Sequence, residues 1–239
     1  MSKSVFITGT GTDVGKTYIA ALIVKTLRDN NINCGYYKPV VSGVEDIQSS
    51  DPARVIDICG LNESFEDIVS FSYEIPASPH LSAHIEGHEF NMDKVVNDYE
   101  RLKNKYDYLV IEGAGGIFCP IYYDYNNHGN NPTKLILLED IIKVLDLNVV
   151  MVSDLYLGAI NNVALSINYM KQIGINLSGI IFNLKNIDDS NDEREYKNLI
   201  IQDNYEFIKN QFKTSIITTV KSFDTNLNLE IEGLLQHFK

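Results

Sequence analysis

The sequence has no run approaching the roughly 20 consecutive apolar residues that a membrane-spanning helix needs. Its opening, Met1-Ser2-Lys3-Ser4-Val5-Phe6-Ile7, carries one lysine and an apolar run that meets glycine too soon to serve as a signal-peptide core. A cytoplasmic protein without a membrane partner is expected. Cysteine is scarce and scattered. Cys34, Cys59 and Cys119 form no CxxC pair, which argues against a disulfide framework or a zinc site and suits a reducing compartment. Positive charge is in deficit, with 20 Lys and Arg against 32 Asp and Glu for a net charge of -12. Binding along a nucleic-acid backbone depends on basic residues displacing counterions, so nucleic acid is not an expected partner. A nucleotide is compatible with this charge, because a few amides and one lysine can hold phosphates within an acidic surface. Low-complexity tracts, internal repeats and dividing linkers are also missing from the 239 residues, a length that suits one α/β domain over 1–239.

What is present is an alternation of short β-branched apolar runs with longer stretches of helical periodicity. Strands are predicted at 4–8, 34–38, 108–112, 148–153, 178–183 and 215–219. Helices are predicted at 16–30, 51–59, 92–105, 138–145, 159–173 and 194–212. Strands alternating with crossover helices define the α/β class, here a doubly wound, mainly parallel sheet flanked by helices, and the Gly15-Lys16-Thr17 that ends the glycine-rich turn after the first strand makes it P-loop NTPase-like. Residues 42–50 and 118–133 read as long loops, the second rich in Asn and Gly. The polar stretch 186–195 reads as a solvated connection, with Ser190 or Asn191 capping the helix that follows.

The first predicted strand runs into Gly9-Thr10-Gly11-Thr12-Asp13-Val14-Gly15-Lys16-Thr17, which opens a helix. In such a turn backbone N–H groups and a helix N-terminus converge on phosphate. Lys16 is placed to bridge the β- and γ-phosphates of a nucleotide and the Thr17 hydroxyl to ligate Mg²⁺. The usual GxxxxGK[ST] pattern wants glycine at position 10, where Thr10 stands, and Gly9 lies one residue further back. The competing reading is a glycine-rich turn that binds nothing.

Lys38 closes the second predicted strand and Glu112 closes the third, at the edge where open α/β sheets bind ligands. Either could be merely solvated. A carboxylate in that place can hold Mg²⁺ directly or through water. Asp51, taken alone, reads as the N-cap of the helix at 51–59 rather than as a metal ligand.

These residues fall within motifs that together resemble dethiobiotin synthetase. The motifs are Thr12-Asp13-Val14-Gly15-Lys16-Thr17, Gly35-Tyr36-Tyr37-Lys38-Pro39-Val40 with Ser42-Gly43, Ile75-Pro76-Ala77-Ser78-Pro79-His80, Glu112-Gly113-Ala114-Gly115-Gly116, Leu157-Gly158-Ala159-Ile160-Asn161 and Gly179-Ile180-Ile181-Phe182-Asn183, in the family's order. The resemblance implies closure of a cyclic urea from ATP, CO₂ and 7,8-diaminononanoate through a carbamate and its phosphoric anhydride. It further implies Lys38, Lys16 and Thr12 as catalytic residues. ATP would lie on Asp13, Val14, Gly15, Lys16, Thr17, Glu112, Gly113, Ala114 and Gly115, with Asn183 reading the adenine edge. Thr17, Asp51 and Glu112 would hold Mg²⁺. Ser42 would touch the diamine, and Gly158, Ala159, Ile160 and Asn161 of a second copy would bind its carboxylate across a homodimer interface.

The chain departs from the family in places. Asp13 stands for a common glutamate, Tyr156 for a common lysine, and residues 216–223 lack the usual Gly-x-Ile-Pro segment at the base of the nucleotide. Two rivals are a carboxylate-activating P-loop amidoligase and a nucleotide switch of the partitioning type. The first would need an ammonia source, and the second carries an extra lysine early in its phosphate loop, which positions 10–14 lack.

Overall fold

The computed structural model describes residues 2–125, 134–184, 193–221, 224, 225, 227 and 229–239. In chain order the elements are β1 (Lys3–Gly9), α1 (Lys16–Asp29), β2 (Cys34–Ser42), α2 (Asp51–Cys59), α3 (Phe65–Ile68), β3 (Val69–Tyr73), α4 (Pro79–Glu86), α5 (Met92–Lys103) and β4 (Tyr108–Glu112). They continue with β5 (Pro120–Tyr123), β6 (Leu135–Leu137), α6 (Leu138–Val144), β7 (Asn148–Ser153), α7 (Ala159–Gln172), β8 (Leu177–Leu184), α8 (Glu193–Phe212), β9 (Ile216–Lys221) and α9 (Ile231–Leu235).

Seven strands form one sheet in the order β3-β2-β4-β1-β7-β8-β9, every pair parallel. From β1 the chain winds out to β2 and β3, returns through β4, then crosses to β7, β8 and β9 on the other side. Such a reversal opens a crevice at the carboxyl ends of the central strands. The central strands are buried on both faces, which is why β1, β4 and β7 read as unbroken apolar runs rather than alternating ones. Among the described residues no helix is long and apolar enough to cross a membrane.

Two expectations are corrected. The second strand does not stop at Lys38 but runs on to Ser42. Its pairing with β4 ends at Tyr37 opposite Ile111, and from Lys38 onward it pairs with β3 instead. Strand β3, an edge strand of five residues, supplies the hydrogen bonds that let β2 overhang β4. The expected loop at 118–133 contains strand β5, which pairs antiparallel with β6 in a small separate sheet. Residues 126–133, which carry the run of asparagines, and the proposed caps Ser190 and Asn191 lie outside the described residues.

Candidate active site

The loop between β1 and α1 is shaped by two glycines. A Cβ on Gly9 would lie 2.7 Å from Val14 Cγ2, which explains a glycine at this place rather than at position 10. Thr10 is turned toward β7, its N–H donating to the Val152 carbonyl at 3.0 Å and its hydroxyl to Ser153 Oγ at 3.2 Å. Gly15 caps α1 in the left-handed region at φ 92°, where a Cβ would lie 2.0 Å from Asn183 Nδ2. No side chain caps α1, so its first amides are free to receive an anion. Lys16, 8% exposed, donates to the Gly11 carbonyl at 2.9 Å. Burial holds its pKa below the ordinary lysine value of 10.5, with Glu112 opposing that shift. Thr12 and Asp13 are exposed at the rim.

Strand alternation brings the charged residues together. Lys38, 5% exposed, donates to Glu112 Oε1 at 2.7 Å, and Glu112 is 1% exposed. The Thr17 hydroxyl donates to the same oxygen at 2.7 Å. Asp51 is not the cap of α2; Ser50 is, its hydroxyl accepting from the Ala53 N–H. Asp51 occupies the first helical position, freeing its carboxylate to face the cleft. There its Oδ2 lies 3.2 Å from the Thr17 hydroxyl and 3.5 Å from Lys38 Nζ. Thr17, Asp51 and Glu112 therefore offer one hydroxyl and two carboxylates at one point, a hard-oxygen set that fits Mg²⁺. Among the described residues there is no cluster of three or more His, Cys, Asp or Glu side chains placed to hold a metal ion, so this set depends on the Thr17 hydroxyl as its third group.

These groups border a cleft of about 1000 Å³ with Ser42, Arg54, the Pro76–Pro79 turn and Gly113–Gly115. The Ser42 hydroxyl is buried without a hydrogen-bond partner among the described residues. Val14, within the loop, and Asn183, near the end of β8, do not line this cleft. Asn183 is 1% exposed and its Nδ2 donates to the Val14 carbonyl at 3.0 Å, leaving Oδ1 without a partner among the described residues. The Gly158–Asn161 segment does not line this cleft. Gly158 caps α7 at φ 96°, and Leu157 before it is 91% exposed.

Sequence reasoning overlooked two tyrosines here. Tyr36 donates to Glu112 Oε2 at 2.6 Å, and its two-residue spacing from Lys38 already placed both on one face of β2. Tyr18 donates to the Asp224 carbonyl at 2.6 Å and the Lys221 carbonyl at 3.3 Å, contacts for which the sequence gives no local signal.

A parallel sheet whose central strand feeds a glycine-rich loop and an uncapped helix, with a lysine, a threonine and two carboxylates gathered at its edge, defines the P-loop NTPase class. Residues 3–225 match the family described as an AAA domain. The chain is 38% identical to the ATP-dependent dethiobiotin synthetase BioD of Clostridium botulinum (strain Loch Maree / Type A3), covering 100% of this chain and 99% of that one. It is 45% identical to the protein of that name from C. botulinum (strain Alaska E43 / Type E3), covering 80% of this chain and 82% of that one. The chain belongs to the dethiobiotin synthetase family. In fold it is similar to the MinC:MinD cell division protein complex of Aquifex aeolicus, with TM-score 0.52 and 13% identity over 92% of this chain and 81% of that one.

Proposed function

We propose that the protein is an ATP-dependent ligase of biotin synthesis that closes 7,8-diaminononanoate and CO₂ into dethiobiotin, with release of ADP and phosphate. One amine adds to CO₂ and loses a proton to give a carbamate. The γ-phosphoryl group then passes to a carbamate oxygen, and the bond to ADP breaks. The second amine attacks the resulting anhydride carbon, the carbon–oxygen bond to phosphate breaks, the amine's proton leaves with the phosphate or to solvent, and the ring closes.

The observation that carries this reading is Lys38, buried at the sheet edge 2.7 Å from Glu112 and beside Thr17. A carbamate and a triphosphate repel each other, and fixed cations between them supply the positioning and charge neutralisation that dominate phosphoryl transfer. Lys16 takes the β- and γ-phosphates, Lys38 the transferring group and carbamate, and Thr12 with the loop amides the developing charge. Asp13, Val14, Gly15 and Gly113–Gly115 shape the ATP pocket, and Asn183 Oδ1 accepts from the adenine edge. Ser42 receives the diamine. Thr17, Asp51 and Glu112 hold Mg²⁺, which when bound neutralises phosphate charge. The substrate's carboxylate binds Gly158, Ala159, Ile160 and Asn161 of a second copy, supported by an α7 N-terminus that no side chain caps and by the exposure of Leu157. The enzyme is thus a homodimer of single-domain chains working in the cytoplasm.

Purified protein mixed with ATP, Mg²⁺, bicarbonate and the diamine should form dethiobiotin and ADP in equal amounts, followed by mass spectrometry. ATP turnover that ignores the diamine would overturn the reading and favour a nucleotide switch.

A further inference from the structure

Glu112 is held at both ends, and the two ends differ in kind. Oε1 faces the cleft and accepts from Thr17 and Lys38, each at 2.7 Å. Oε2 faces inward and accepts from the Tyr36 hydroxyl at 2.6 Å. Strand register explains why one carboxylate meets both β2 residues. Tyr36 lies opposite Val110 in β4, Lys38 follows two residues later on the same face, and Glu112 follows Val110 by two. Tyr36 is fully buried. Its hydroxyl, enclosed in the core, donates to Oε2.

We infer that Tyr36 is a positioning residue that makes Glu112 a one-oxygen metal ligand and thereby biases the site toward Mg²⁺ over Ca²⁺; this rests on the metal site proposed above. Mg²⁺ demands compact octahedral coordination, whereas Ca²⁺ takes more ligands and accepts carboxylates through both oxygens. With Oε2 engaged in the core, Glu112 can offer only Oε1. Removing the hydroxyl frees Oε2 to turn outward, an option useful to the larger ion alone. Partners of this kind, which orient a metal ligand without touching the metal, commonly change affinity by about 10–100-fold when removed.

The test is calorimetric titration of Mg²⁺ and Ca²⁺ into ADP-saturated wild-type protein and the Tyr36→Phe variant, which keeps the ring. Mg²⁺ affinity should fall by about 10-fold while Ca²⁺ affinity falls less or rises, narrowing the preference. Equal losses for both ions would reduce Tyr36 to packing and overturn the inference. Wild-type protein provides a second measurement that does not depend on the variant folding. With ¹³C-labelled glutamate, the metal-induced infrared carboxylate bands should show the wide splitting of a one-oxygen ligand with Mg²⁺; the narrow splitting of a two-oxygen ligand would overturn it as well. A wild type indifferent to Mg²⁺ would instead overturn the proposed function, and this inference with it.

Discussion

At the phosphate end of the cleft, side chains hold side chains: Glu112 gathers Thr17, Lys38 and Tyr36, and Asp51 closes on Thr17. At the other end of this network, behind the loop and toward β8 and β9, side chains hold backbone. Asn183 grips the Val14 carbonyl, Tyr18 the carbonyls of Lys221 and Asp224, and the Thr26 hydroxyl the N–H of Leu227. Under the proposed function, the first arrangement places buried charge where the phosphate charge is to be met. The second fixes the course of the chain, whatever its side chains, and so determines shape. Changes at the first end should therefore strike turnover, and changes at the second should strike nucleotide affinity.

Four substitutions and a pH profile test that division. Lys38→Gln keeps a hydrogen-bond donor beside Glu112 but removes the charge. Its kcat for dethiobiotin formation should fall by about 10²–10³-fold, with a far-UV circular dichroism spectrum like that of wild type. A normal kcat would refute the role of the phosphate end. Gly15→Ala strikes both ends, because its methyl group meets Asn183 at a left-handed backbone position. It should cost roughly 1–3 kcal/mol of stability, lower the melting temperature, and weaken ADP binding measured by calorimetry.

Asn183→Ala should raise KM for ATP by roughly 10-fold, the order of a lost buried hydrogen bond, and leave kcat within a few-fold of wild type. An equal fall in kcat would erase the division. Tyr18→Phe loses only the hydroxyl that anchors Lys221 and Asp224, so about 1 kcal/mol and a KM rise of roughly fivefold are expected. Steady-state kinetics with ATP and GTP would show whether that anchor also serves base choice.

The smallest effect lies in the pH profile of kcat/KM for ATP, which reports groups of the free enzyme. Lys16 must be protonated to attract phosphate, and burial lowers its pKa from 10.5. The ammonium is therefore lost at lower pH than from a free lysine, and the midpoint of the alkaline limb should lie below pH 10.5. A limb that falls only above that value would mean that burial does not weigh on Lys16.

The contrast between the two ends also explains what the sequence disclosed. Lys16, Thr17 and Glu112 stand beside glycine-rich turns at strand ends, so local pattern brought them forward, although it left Glu112 equally open to a solvated reading. Helix α2 and strands β4 and β7 have the predicted bounds, because the helix shows a helical period and the two strands are unbroken apolar runs with polar residues at their ends. Strands β5 and β6, four and three residues long, are too short to show a period, and each depends on the other for its hydrogen bonds. Asp51 could be placed near a cap, but its turn toward Thr17 depends on Ser50 taking the cap position. Tyr18 meets residues more than 200 positions away. No pattern confined to a short window reports a contact of that length.

The contact of Gly15 with Asn183 bears on how such an enzyme could be redesigned. The amide of Asn183 fills the space that a side chain at position 15 would occupy. If Asn183 reads the adenine edge as proposed, a larger residue introduced at 183 to favour another base would press on the phosphate loop from behind. Libraries aimed at a new nucleotide should therefore vary positions 14 and 183 together and keep Gly15 fixed. Improved base preference and intact phosphate binding would then be selected as one trait.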